Sequence, residues 1–244
     1  MLENKIILVT GGSGLIGKCI VSDAKLKGAT VINADINVET NIEKGTITLD
    51  LANKSSIKNA IDSAYNTFKR IDGLVNAAYP RTSDWGVIFE EVELDSWRKN
   101  VDMQMNSVFY LCQQASKYMI EKQKGSIVNL ASIYGIVGND FSIYEGLNMS
   151  SAPAYSAIKG GIINFSRYLA SYLGKKNIRV NCVSPGGIFD NQNPEFVRRY
   201  NEKVPLGRMG NPEDISPTVS FLLSDESQYI TGQNIAVDGG WTAI

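Results

Sequence analysis

Histidine is absent from all 244 residues. That gap removes Ser-His-Asp and Cys-His nucleophile systems and nearly all catalytic zinc sites, because each needs an imidazole as base or ligand. Acid/base chemistry must therefore come from Tyr, Lys, Cys, Asp or Glu. Cysteine is scarce too: Cys19, Cys112 and Cys182 are odd in number and far apart. They provide no disulfide framework and no Cys-x-x-Cys pair, so no metal is expected and a reducing, cytoplasmic setting is. No apolar run approaches the roughly 20 residues of a membrane span. The apolar run Ile6-Ile7-Leu8-Val9 is too short for a signal sequence. Neither sign of charge is in excess, with 24 Lys and Arg against 25 Asp and Glu. Nucleic acid is thus not an expected partner, and Arg198-Arg199 reads as a solvated helix face.

What is present is an alternation. Apolar residues make up 43% of the chain, and many fall in short β-branched runs. Lys5–Thr10, Ala29–Asp35, Thr46–Asp50, Gly73–Asn76, Ser126–Ser132, Ile178–Val183 and Asn234–Val237 read as strands of a parallel sheet buried on both faces. Between them the pattern predicts helices over Gly14–Lys27, Lys54–Arg70, about Ser96 to Lys122 with Asp95 as N-cap, Pro153–Gly174 and Pro212–Leu223 after an Asn211 cap. Strand–helix alternation with right-handed crossovers gives an α/β, doubly wound Rossmann-type sheet. No repeat or linker divides the chain, so residues 1–244 are expected to form one catalytic, dinucleotide-binding domain. Two long loops, Asn139–Ser151 and Gly187–Pro205, are candidates for function.

The first strand runs into Gly11-Gly12-Ser13-Gly14-Leu15-Ile16-Gly17. A glycine-rich turn opening a helix lets backbone N–H groups approach a pyrophosphate without side chains in the way. Asp35 closes the second strand, where a carboxylate suits adenosine ribose hydroxyls and repels a 2′-phosphate. Ile36 and Asn37 follow it rather than a basic residue, so NAD is favoured over NADP. Downstream, Tyr155 and Lys159 are four residues apart and share one helix face. Lowering a phenol from ~10 to roughly 7 takes about 4 kcal/mol of preferential phenolate stabilisation. A neighbouring ammonium and an oxidised nicotinamide are suitable sources.

Taken together the chain resembles the short-chain dehydrogenase/reductase family. The resemblance rests on Thr10-Gly11 to Gly17, Asp50-Leu51, Asn76-Ala77-Ala78, Asn106, Gly125 to Ser132, Tyr155 with Lys159, Asn181 to Ile188, and Val237-Asp238-Gly239-Gly240. It implies a catalytic set of Asn106, Ser132, Tyr155 and Lys159. Ser132 would hold the reacting oxygen, Tyr155 would exchange its proton, Lys159 would lower the tyrosine pKa and bind ribose, and Asn106 would anchor a water relay. The implied cofactor contacts are Gly11, Ser13, Gly14, Leu15, Ile16, Gly17, Asp35, Asp50, Leu51, Asn76, Ala77, Ala78, Tyr155, Lys159, Pro185, Gly186 and Ile188. Family members with similar late segments, Pro205 to Ile215 and the Val-Asp-Gly-Gly ending, form tetramers, so a homotetramer is expected, with a dimer as the fallback.

Three departures stand out. Leu15 occupies a usual glycine position, a spacing shared with the longer branch that epimerises nucleotide sugars. Asp190 replaces a usual threonine. An insertion, Asn139 to Asn148, separates Ser132 from Tyr155. Polar residues in the loops predict a polyol or sugar-like substrate, met by Arg81, Ser132, Tyr144, Tyr155, Gly187 and Asn191, with Arg81 suited to a phosphate or carboxylate. The insertion with Tyr79-Pro80-Arg81 also resembles bacterial dehydrogenases of surface-glycan and flagellin-sugar pathways. A 3-oxoacyl reductase, a nucleotide-sugar epimerase and a non-catalytic NAD-binding module are the alternatives.

Overall fold

The computed structural model describes residues 1–244. Seven parallel strands form one sheet in the order β3-β2-β1-β4-β5-β6-β7. They are β1 (Ile6–Thr10), β2 (Thr30–Asp35), β3 (Thr46–Thr48), β4 (Gly73–Asn76), β5 (Gly125–Leu130), β6 (Ile178–Pro185) and β7 (Asn234–Val237). Every residue of β1, β4 and β5 is buried, as their unbroken apolar runs require for a sheet covered on both faces.

Two apolar layers do the covering. On one face α2 (Lys54–Phe68), α4 (Ser107–Lys122) and α5 (Pro153–Leu173) pack Ile61, Leu111 and Ile162 against Leu8, Leu74 and Ile127. On the other, α1 (Leu15–Leu26) and α7 (Pro212–Leu223) set Ile20 and Val219 against Ile7, Val75 and Val128. Each fully buried side chain of this size contributes roughly 1.5–3 kcal/mol relative to exposure. Asn211 and Asp214 cap α7 reciprocally, and Pro212 follows at the first helical position.

The long helix begins earlier than its sequence predicts and is interrupted. It starts as α3 (Leu94–Val101) after Glu93, so Asp95 lies in the first turn rather than at the cap. A π-turn over Asp102–Asn106 then leads into α4. The sequence reading also misses α6 (Pro194–Lys203), which lies inside the expected loop Gly187–Pro205. Its signals are local and short: Asn193 caps the Glu195 N–H, Pro194 opens the helix, and Phe196 and Tyr200 are its only fully buried positions.

A third, smaller apolar cluster sits beyond the carboxyl end of the sheet. Ile133, Ile143, Phe196, Tyr200, Val204, Met209 and Trp241 form it, with Tyr134, Tyr144 and Met149 packed alongside. The insertion and α6 therefore fold against each other.

Candidate active site

The strand order reverses between β1 and β4, and ligands of open α/β sheets bind at the carboxyl side of such a switch point. The glycine turn lies there. Gly11 has φ +67°, and a Cβ on it would stand 2.5 Å from Ala78 Cα, so the turn and the segment after β4 touch backbone to backbone. Gly14 caps α1 without a side-chain bond, and no acid lies in the first turn. The N–H groups of Leu15, Ile16 and Gly17 find no acceptor in the protein. These are properties of an anion cradle, and they fit a dinucleotide pyrophosphate. Ser13 is used differently: its N–H donates to Asp35 Oδ2 at 3.0 Å and its hydroxyl accepts from Asn33 Nδ2.

Asp35 is buried at the end of β2, and its second oxygen accepts the Asn37 N–H at 2.9 Å. Both oxygens are thus oriented by backbone. Asp50 and Leu51 follow β3, where Asp50 accepts the Ala52 N–H. The side chain of Asn76 points into the protein instead. Its amide donates to Asn129 Oδ1 at 2.7 Å, and Asn129 in turn donates to Ser166. Asn76 Oδ1 and Thr10 Oγ1 remain buried without partners beside the crevice.

Ser132 follows β5 and caps a short turn by accepting the Tyr134 N–H. The next residue but two is Gly135, where a Cβ would lie 2.7 Å from the Lys159 carbonyl carbon. Only glycine lets this turn press onto α5, and that contact brings Ser132 to Tyr155 and Lys159. Tyr155 is carried on the first turn of α5, whose start is fixed by Pro153. Lys159 lies one turn on, its ammonium 5.5 Å from the Tyr155 ring centre and donating to Leu130 O at 2.9 Å.

The electrostatics differ from expectation. Burial pushes the Tyr155 phenol up, while the Ser132 side chain works against that rise. Burial also pushes the Lys159 ammonium down to about 8. The protein alone thus disfavours both charged forms, because desolvation is the largest influence on each.

One cavity of about 430 Å³ joins the two ends of the site. Ile16, Ala77, Pro185, Gly186 and Ile188 from the cofactor set line it, together with Ser132, Tyr155, Lys159, Arg81, Tyr144 and Gly187. Asn191 does not line it; the neighbouring Gln192 does. Gln192 clasps its own turn, accepting the Asp190 N–H and donating to Ile188 O, both at 2.8 Å.

Two expectations are corrected here. Asn106 is exposed and donates to Asp102 Oδ1, because the π-turn rotates it away from the sheet. The amide that this turn buries is Gln104, which donates to Pro80 O at 2.8 Å and keeps Oε1 unpartnered. The cavity is also more aromatic than the polar loops suggest, with Tyr79, Trp85, Tyr134, Tyr144, Phe196 and Tyr200 on its walls. The loop Asn139–Ser151 turns Tyr144, Met149, Ser150 and Ser151 toward the cavity. Of its two charged residues, Asp140 pairs with Ser142 and Lys203 and Glu145 is exposed, since charges are less costly where water reaches them. Residues that sequence reasoning passed over, Trp85, Tyr134, Phe196, Tyr200 and Met209, supply the walls. Trp85 and Tyr79 pack edge-on to Tyr155, with centroids 6.1 and 5.4 Å away.

A family model described as Enoyl-(Acyl carrier protein) reductase matches residues 13–242. The chain belongs to the short-chain dehydrogenase/reductase family. This dehydrogenase/reductase is 37% identical to post-translational flagellin modification protein A of Campylobacter coli, with 99% of each chain covered. It is 33% identical to a 3-oxoacyl-(acyl-carrier-protein) reductase of Thermotoga maritima over 98% of each. A solved short chain dehydrogenase from Leptospira borgpetersenii, crystallised with bound NAD+, superposes with a TM-score of 0.90 at 39% identity, covering 99% of this chain and 94% of that one. Membership in this oxidoreductase family accounts for the single seven-stranded sheet and for the phenol and ammonium at its carboxyl end.

Proposed function

We propose that this short-chain dehydrogenase/reductase uses NAD(H) to interconvert an alcohol and a carbonyl on a hydroxylated, sugar-like or polyol substrate. The observation that carries the reading is the one cavity shared by Ile16, Pro185 and Ile188 with Ser132, Tyr155 and Lys159. The NAD+ bound in the Leptospira relative and the ribose-ready Asp35 support the choice of cofactor. Bound in this crevice, the nicotinamide supplies the hydride acceptor or donor.

The chain's own residues handle the proton. Ser132 holds the reacting oxygen next to Tyr155, whose hydroxyl gives up or takes the proton. Lys159 keeps positive charge beside the phenol and has ammonium protons left for ribose hydroxyls, since Leu130 O takes only one. Gln104 rather than Asn106 is the buried amide with a free oxygen, Oε1, available to order a water. Tyr134, Tyr144 and Ser151 line the cavity, and their hydroxyls tip an otherwise aromatic wall. Such a wall offers flat apolar faces with polar tips, which suits a sugar ring with hydroxyls at its edge.

One relative is named for post-translational flagellin modification, in keeping with the resemblance that the insertion and Tyr79-Pro80-Arg81 carry. A 3-oxoacyl thioester is the competing reading, favoured by the apolar majority of the lining and by the Thermotoga relative. An initial-rate screen with NAD+ and NADP+ over polyols, sugars, sugar phosphates, hydroxy acids and 3-hydroxyacyl thioesters separates them. Turnover confined to thioesters transfers the assignment to acyl reduction. We further propose a homotetramer in a reducing, cytoplasmic compartment. Phe109, Tyr168 and Tyr172 on α4 and α5 are exposed aromatics suited to an interface, and all three cysteines are free.

A further inference from the structure

The cavity contains two cations and no acid. Arg81 and Lys159 line it, and neither aspartate nor glutamate does. The two are not equivalent: Lys159 is buried and bonded to Leu130 O, whereas Arg81 stands at the exposed mouth. Elsewhere in the chain Arg70, Arg98, Arg198, Arg199 and Arg208 pair with carboxylates. Arg179 is spent on main-chain carbonyls. Arg81 and the exposed Arg167 of α5 have neither kind of partner, and of these two only Arg81 lines the cavity. It does have a platform, since its guanidinium carbon lies 5.4 Å from the Tyr79 ring centre, within reach of a cation–π contact. The same ring packs against Tyr155 at 5.4 Å and receives the Lys159 ammonium on a face at 5.6 Å. One aromatic side chain therefore separates the free guanidinium from the reacting phenol.

Resting on the sugar-like reading above, we infer that the substrate carries an anionic oxygen group, a carboxylate or phosphate, a few bonds from its reacting carbon, and that Arg81 is the residue that selects it. A planar fork held on an aromatic face loses little freedom on binding and meets two oxygens of such a group at once. No lining carboxylate repels the anion, and partly dry aromatic walls strengthen the attraction relative to water. The nearby hydroxyls of Ser150 and Ser151 add uncharged donors on the insertion side of the same cavity.

Binding to the NADH-loaded protein tests this without requiring turnover, because an alcohol and reduced cofactor cannot react and the ring forms of the aldoses hold their carbonyl as a hemiacetal. Calorimetry compares D-glucose, D-gluconate, D-glucose 6-phosphate and inorganic phosphate on wild type, Arg81→Gln and Arg81→Lys, with NADH affinity as the control for folding. The expected result is at least tenfold tighter binding of the anions than of glucose. Arg81→Gln abolishes that advantage and Arg81→Lys restores part of it. A phosphate advantage over gluconate identifies the phosphate source, and the reverse identifies a carboxylate. Equal binding of charged and neutral ligands, no anion binding to wild type, or anion binding indifferent to Arg81→Gln overturns the inference. Those results leave the sugar-like reading intact if neutral polyols are turned over. Arg81-dependent anion binding with turnover only of acyl thioesters keeps the anion site and removes the sugar.

Discussion

The Lys159 ammonium stands 5.5 Å from the centre of the Tyr155 ring and is anchored on Leu130 O, so contacts within the protein fix its place beside the phenol. Burial holds the lysine at about 8, below its ordinary 10.5. Below pH 8 the ammonium is protonated in both folded and unfolded chains, and the full cost of burying it, roughly 3 kcal/mol at 1.36 kcal/mol per unit, weighs on the fold. Between pH 8 and 10.5 the unfolded chain binds the extra proton, so this group's contribution to stability rises with pH. Lys159→Met should therefore raise Tm at pH 7, and its advantage should narrow at pH 10. A constant gap across that range rejects the assignment. In the same variant turnover and NADH affinity both fall, whereas Tyr155→Phe abolishes turnover and leaves NADH affinity nearly intact. A tenth or more of wild-type kcat in Tyr155→Phe would exclude that tyrosine as the acid/base.

Cofactor choice turns on Asp35. Its carboxylate is fixed by the N–H groups of Ser13 and Asn37, so it cannot swing away from a 2′-phosphate. NAD should bind at least tenfold more tightly than NADP, and Asp35→Ala should shrink the ratio. Equal dissociation constants for the intact protein, measured by fluorescence titration of the reduced forms, refute it.

Gln104 and Asn106 lie in the same π-turn, yet one is buried and the other exposed. An unpartnered buried amide oxygen costs about 1–3 kcal/mol, which an ordered water would offset. Gln104→Leu should lower kcat and shift its pH profile, while Asn106→Ala stays near wild type in both. The opposite pattern returns the role to Asn106.

Shortening the insertion carries a stability cost that its outward polar face conceals. Ile143 is fully buried in the cluster with Phe196 and Tyr200, and Lys203 of α6 pairs with Asp140. Ile143→Ala should cost about 2–5 kcal/mol. Replacing Asp140–Asn148 by a Gly-Ser turn should lower Tm by several degrees and raise KM while sparing NADH binding. An unchanged Tm and KM would show that the cluster does not brace the cavity.

Assembly is checked by light scattering at micromolar concentration. A tetrameric mass is expected, and Tyr168→Asp with Tyr172→Asp should reduce it; a monomeric wild type refutes the proposal.

Seven strands, the glycine turn and the Tyr155–Lys159 pair were legible in the linear chain, because each depends on neighbours within a few residues: unbroken apolar runs for buried strands, a turn without side chains, one helical repeat between phenol and ammonium. That Gln104 is the buried amide and Asn106 the exposed one was not legible, since a single π-turn changes which side of a helix faces the sheet. Nor was α6, a short helix whose apolar residues matter only once the insertion packs on them. The cavity is decided last and entirely by tertiary structure. Its walls come from Tyr79 and Trp85, from Tyr134 and Tyr144, and from Phe196 and Tyr200, segments far apart in sequence. Whether their faces or their hydroxyls meet a ligand follows from how those segments pack, which composition alone does not specify. Polar letters in a loop record what the loop contains; burial decides which of them a substrate meets.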